Sequence, residues 1–169
     1  LTIEEARAEL ADLSMQVEKN TAAVTYRDIV EGVDLRYSLQ GTQLKEEIIL
    51  EKLPVDERFI FTIQSPTLQA VLAEDGSVRF LDAAGEMQMY IASPFMYDAA
   101  GASSGEIQVE LIEAEGGWYF YELVPDRSWL SDKERAYPVI IDPPLQTGDV
   151  NTVKDTTAVF GTSQGNLAT

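Results

Sequence analysis

Ile107-Gln108-Val109-Glu110-Leu111, then Ala114-Glu115-Gly116-Gly117, then Trp118-Tyr119-Phe120-Tyr121 is the stretch that decides the fold. Ile107, Val109 and Leu111 alternate with polar residues, the period of a strand whose successive side chains point to opposite faces. Gly116 and Gly117 tolerate positive φ, so the chain can reverse there into a second strand. Period two then puts Trp118 and Phe120 on one face and Tyr119 and Tyr121 on the other.

The same pattern extends in both directions. Val33, Leu35, Tyr37 and Leu39 alternate, as do Phe59, Phe61 and Ile63, and Asp75-Gly76 separates the runs Ala70, Leu72 and Val78, Phe80. About ten short strands at 8 to 12 residue spacing predict an antiparallel β-sandwich or barrel. Thr2 with Glu5 makes a capping-box pattern, and Ile3, Ala6, Leu10, Leu13 and Val17 recur at steps of three and four, so residues 3 to about 18 read as an amphipathic helix. Asp142-Pro143-Pro144 is expected to stop strand pairing, because proline donates no ladder hydrogen bond. The expected organisation is therefore an N-terminal helix over 1–20, a β-domain over 21–142, and a linker opening a further module over 143–169.

Composition narrows the function classes. The 169 residues suit one domain with extensions, and no apolar run approaches the roughly 18 residues needed to span a bilayer. Twelve basic and twenty-nine acidic residues leave a net charge of −17, a field that repels phosphate backbones and anionic headgroups. Nucleic acid and membrane insertion are thus not expected as partners. The chain has no cysteine and no histidine, which removes thiol nucleophiles and the commonest general bases. It begins with Leu1 and reads as an excised piece, any signal peptide lying upstream.

Val24-Thr25-Tyr26-Arg27-Asp28-Ile29, Glu31-Gly32-Val33-Asp34-Leu35-Arg36-Tyr37, Leu44-Lys45-Glu46-Glu47-Ile48-Ile49-Leu50, Pro94-Phe95-Met96-Tyr97-Asp98 and the ending Trp129-Leu130, Arg135, Tyr137 to Pro143 occur in a recurrent order. Together they resemble the β-rich region preceding the DNRLRE module in secreted YD-repeat (Rhs-like) and wall-associated proteins of Gram-positive-type bacteria. Val153 to Val159 with Asn166 resembles the opening of that module. The resemblance implies an extracellular, secreted or cell-wall-associated β-domain in a multi-module chain, and it carries no catalytic residues across. The helical pattern at residues 3–18 departs from it.

The resulting expectation is a non-catalytic structural or interaction module, its partners the neighbouring modules of the same chain. The alternative is a carbohydrate-binding domain for cell-wall or host glycans, with Tyr119 and Tyr121 as the stacking residues and ordinary cross-strand packing as the competing explanation of both. A hydrolase would draw on Asp34 with Glu46 or Glu47, or on Ser128 or Ser131 with Lys133, although cross-strand pairing and edge protection also explain the charges on the strand from Leu44. No cofactor is expected, and calcium would be sought only at Asp98 with the Gly101 to Gly105 loop. Trp129 is expected to bury its ring beside the turn that precedes the last strand.

Overall fold

The computed structural model describes residues 14–18, 21–40, 43–142, 145–147 and 159–160. The strands are β1 (Ser14–Glu18), β2 (Thr21–Val30), β3 (Val33–Gln40), β4 (Gln43–Leu50), β5 (Phe59–Gln64), β6 (Gln69–Leu72), β7 (Val78–Leu81) and β8 (Met87–Ile91). They continue with β9 (Phe95–Asp98), β10 (Ser103–Ser104), β11 (Ile107–Ala114), β12 (Trp118–Pro125), β13 (Val139–Asp142), β14 (Leu145–Thr147) and β15 (Val159–Phe160), while α1 (Arg127–Leu130) is a single helical turn. Pairing is antiparallel throughout, in sheets of order β1-β2-β3-β4-β13-β9-β10, β11-β12-β5-β15 and β14-β8-β7-β6. The mainly β, antiparallel class expected from period two is what forms.

The core follows from that alternation. Val33, Leu35, Ile48, Leu50, Met96, Val139 and Ile141 from the seven-stranded sheet join Phe59, Phe61, Ile63, Tyr119, Tyr121 and Leu123 from the second sheet and Ala70, Val78, Phe80 and Ile91 from the third in one buried cluster. Burying an aliphatic or aromatic side chain contributes roughly 1.5–3 kcal/mol, so these alternating positions supply the main driving force.

Three hairpins repeat one turn. In Asp82-Ala83-Ala84-Gly85 the Asp82 carboxylate accepts from the N–H groups of Ala84 and Glu86, and in Asp98-Ala99-Ala100-Gly101 the Asp98 carboxylate accepts from Ala100 and Ala102. Asp75 does likewise with Ser77. Gly76, Gly85 and Gly101 each take positive φ, which L side chains rarely adopt.

Gly117, in the hairpin that decided the fold, needs its missing side chain for a second reason. A Cβ there would lie 2.7 Å from the Pro66 Cα and 2.8 Å from the Ser65 carbonyl oxygen, whereas at Gly116 the nearest atom would be Trp118 Cδ1 at 3.7 Å. Gly117→Ala should therefore cost at least about 2 kcal/mol, strain plus displaced backbone, and Gly116→Ala about 1, strain alone. Urea midpoints of the two variants check this, and equal losses would contradict it.

Two boundary expectations change. Residues 14–18 form β1, paired with β2 in the register Met15↔Val24 and Val17↔Ala22, in place of the last turns of a helix. Val17 fits the helical stripe through Leu13 and also a two-residue period with Met15, and pairing with β2 decides between them. The rest of the expected helix lies outside the described residues. Past Asp142, pairing resumes: β14 pairs with β8 and β15 with β5, so proline interrupts the ladder without ending the β-structure. The remainder of 143–169 lies outside the described residues.

Candidate functional site

The densest polar chemistry sits where β3, β4 and β13 run side by side. The register Arg36↔Glu47 and Ser38↔Lys45 puts these residues on one face, and Tyr37↔Glu46 with Leu35↔Ile48 on the other. β4 is internal, flanked by β3 and β13, so its charges do not protect an edge as expected.

On the first face Glu47 is 3% exposed and Asp142 4%. Arg36 grips Oε2 of Glu47 through both Nε and NH2, each at 2.6 Å. Lys45 Nζ bridges Glu47 Oε1 at 3.0 Å and Asp142 Oδ2 at 2.9 Å, and the Tyr97 hydroxyl donates to Glu47 at 3.3 Å. Burial alone would raise the Glu47 carboxyl, but the cations of Lys45 and Arg36 outweigh it and hold the group below its usual range. Asp142 is pushed up by burial, which Lys45 offsets only in part. Among the described residues, its Oδ1 has no hydrogen-bond partner.

On the second face Glu46 lies at the margin of the core, accepting a 2.6 Å hydrogen bond from the Tyr37 hydroxyl. Burial pushes its carboxyl up to about 7, against the lowering effect of that bond. Tyr121 is raised by burial and by the charge of Glu46, and its buried hydroxyl lacks a partner among the described residues. A carboxyl titrating near neutrality beside two phenols has the properties of a group that takes up and returns protons.

The residues expected from sequence to contact ligand are elsewhere or otherwise engaged. Tyr119 and Tyr121 are 3% and 2% exposed and pack in the core, Tyr121 with its ring 6.0 Å from that of Phe61, so neither offers a face to a sugar. The solvent side of β12 carries Phe120 instead, because the inward phase of the alternation falls on the tyrosines. Asp34 accepts from the backbone N–H of Asp28, which holds φ at 48° in an irregularity of β2, and so braces that turn. Glu46 and Glu47, being adjacent, face opposite sides of the sheet. Ser128 donates to Asp126, the N-cap of α1, and Ser131 to the Ser128 carbonyl. Asp98 spends one oxygen on the N–H groups of Ala100 and Ala102 and the other on Arg135 and Ala136, leaving no carboxylate oxygen for calcium. Among the described residues no group of three or more acidic side chains is arranged to hold a metal. Trp129 packs against the core partly buried, with the Arg135 guanidinium 3.4 Å above its ring.

The chain is similar to part of the WapA nucleases. It is 32% identical over 139 residues to the tRNA3(Ser)-specific nuclease WapA of Bacillus spizizenii, to the tRNA(Glu)-specific nuclease WapA of Bacillus subtilis subsp. natto, and to the tRNA nuclease WapA of Bacillus subtilis strain 168. Each match takes in 78% of this chain, which spans about 6% of the length of these WapA proteins. No protein-family model and no solved structure matches it.

Those WapA matches correct several expectations. The resemblance to a region preceding a DNRLRE module in YD-repeat proteins gives way to a similarity to tRNA nucleases. The reading as a non-catalytic structural, adhesive or carbohydrate-binding module is overturned with it, since the proteins sharing this segment are named for an enzymatic activity. The exclusion of nucleic acid falls too. A charge of −17 belongs to this stretch alone, and phosphate recognition depends on whichever surface of a long polypeptide meets the RNA. Among the described residues no helix is long and apolar enough to cross a membrane.

Proposed function

We propose that the polypeptide carrying this chain is a nuclease that cleaves tRNA. The observation behind this reading is the 32% identity over 139 residues to three WapA proteins, each named as a nuclease acting on tRNA. RNA strand cleavage needs a base to take a proton from the attacking oxygen and an acid to protonate the leaving one. Within the described residues the group best tuned for such transfer at neutral pH is Glu46 with Tyr37, held at 2.6 Å across the β3–β4 ladder.

The test uses the full polypeptide with deacylated total tRNA and follows cleavage by denaturing electrophoresis. Cleavage products with defined ends are expected, and intact tRNA after prolonged incubation would overturn the reading. Glu46→Gln reads the local part: a fall in rate of at least about a hundredfold fits a proton-transferring group. An unchanged rate would move the chemistry outside this segment and leave the activity of the polypeptide standing. We place the polypeptide outside the cell as part of the same proposal. This placement carries forward the expectation drawn from the sequence, and the absence of cysteine suits cytosol and exterior equally. Fractionation of culture medium, envelope and cytosol checks it, and confinement to the cytosol would refute it.

A further inference from the structure

Most of the first-face network is ordinary electrostatics, but the arrangement around Lys45 has a more specific consequence. Lysine usually keeps its ammonium in water by extending its stem to the surface. Here Nζ of the 27% exposed Lys45 side chain lies between two carboxylates whose side chains are 4% and 5% exposed, 3.0 Å from Glu47 Oε1 and 2.9 Å from Asp142 Oδ2. Lys45 and Asp142 stand on adjacent antiparallel strands paired through Ile141↔Ile48 and Ile140↔Ile49, and Lys45, three residues beyond the last pair, reaches Asp142 with its side chain. The other oxygen of Asp142 is buried without a partner among the described residues.

We propose that Lys45 and Asp142 condense into an intramolecular amide, a covalent cross-link between β4 and β13, with Glu47 as the proton carrier. The amine nitrogen attacks Cγ of Asp142, forming the C–N bond. One carboxylate oxygen remains as the amide carbonyl, and the other leaves as water with two of the three protons of the ammonium. Glu47 takes one proton from the ammonium through Oε1 before the attack and a second from the adduct nitrogen after it, handing each to the Asp142 oxygen that departs, and ends unchanged. Lysine plus aspartate gives amide plus water, so no oxidant, cofactor or activated intermediate is required.

Three features favour the step. Burial raises the Asp142 carboxyl toward the neutral acid that Nζ can attack, whereas Lys45, paired with Asp142 and Glu47, is held as the ammonium and must first give a proton to Glu47. Fixed strands hold the reacting groups in contact, which replaces a bimolecular encounter with an intramolecular one. Arg36 clamps Oε2 of Glu47 by two 2.6 Å contacts, turning Oε1 toward Lys45. The inference is independent of the nuclease reading, since it concerns a modification of the fold.

Intact-mass spectrometry of the purified, denatured chain decides the question. The expected mass is that of the sequence less one water, and proteolytic mapping should recover a branched peptide joining Lys45 to Asp142. Lys45→Arg and Asp142→Ala should both appear at full sequence mass, each with a cooperative thermal transition to show that it folds. Glu47→Gln keeps the reacting pair and should cross-link at least about a hundredfold more slowly after refolding. Folded wild-type chain at full sequence mass after prolonged incubation would overturn the proposal. Cross-linking of Glu47→Gln at the wild-type rate would overturn the part given to Glu47.

Discussion

Replacing Asp98 with alanine is expected to destabilise the fold more than any other single polar substitution in the described chain. The carboxylate ends β9 and accepts four hydrogen bonds, from the N–H groups of Ala100 at 3.0 Å, Ala102 at 2.8 Å and Ala136 at 3.2 Å and from Arg135 NH1 at 2.8 Å. Alanine would remove the acceptor from all four donors at once. The exposed Ala100 and Ala102 can turn to water, but the Ala136 N–H and above all the buried Arg135 side chain lose their partner, which costs more than the net value of the bond. The Arg135 side chain is 8% exposed, and it also donates to the Trp129 carbonyl and stacks on that ring. Its guanidinium would remain as a buried charge without a counterion, the arrangement that penalises a broken pair most heavily. α1 would loosen with it, because Arg135 holds both the Trp129 carbonyl and the Trp129 ring.

The loss should depend on pH in a definite direction. Burial works to raise the Asp98 carboxyl, but the Ala136 N–H, the Arg135 cation and the N–H groups of Ala102 and Ala100 outweigh it and hold the carboxyl at about 2. The unfolded value is near 4. A carboxyl depressed in the folded state stabilises fully above the unfolded value and loses that contribution as pH falls toward the folded one. The gap between wild type and Asp98→Ala should thus be largest near neutrality and shrink between about pH 4 and pH 2. Denaturant midpoints at several pH values measure it, and a variant indistinguishable from wild type at pH 7 would show that the turn is held by its backbone alone.

Why this corner was not legible in advance is instructive. The Asp98-Ala99-Ala100-Gly101 turn could have been read from its repeat at Asp82-Ala83-Ala84-Gly85, since both use a carboxylate to cap a hairpin before a positive-φ glycine. The partner Arg135 could not, because a contact between residues so far apart in sequence leaves no local periodicity. The strands and the core were legible because two-residue alternation is itself a statement of which side chains are buried. Which face of β12 looked inward was not, since Trp118, Tyr119, Phe120 and Tyr121 are all aromatic and either phase fits. The same ambiguity hid the candidate site: Lys45, Glu46 and Glu47 read as a charged strand, and only the pairing of β4 with both β3 and β13 separates a core-margin acid from a buried ion network.

Glu46→Gln should stabilise the folded chain, and only above about pH 4. Its carboxyl is pushed up to about 7 by burial, against an ordinary value near 4.3. An acid whose folded value is raised favours the unfolded state wherever the unfolded chain has ionised and the folded one resists doing so. The penalty is absent below about pH 4, grows as pH rises through the window between the two values, and is complete above about 7. At roughly 1.4 kcal/mol for each unit, it reaches at most about 4 kcal/mol, reduced by whatever solvent reaches the partly exposed carboxyl. Glutamine keeps an acceptor for the Tyr37 hydroxyl, which now sits 2.6 Å from Glu46, so the packing of β3 against β4 should survive. The variant should match wild type in urea midpoint at pH 4 and exceed it at pH 8, with the difference opening between the two. A stabilisation that is the same at both pH values would mean that Glu46 titrates normally and that its burial carries no proton. That outcome would also remove the physical basis for assigning it a share in proton transfer during RNA cleavage.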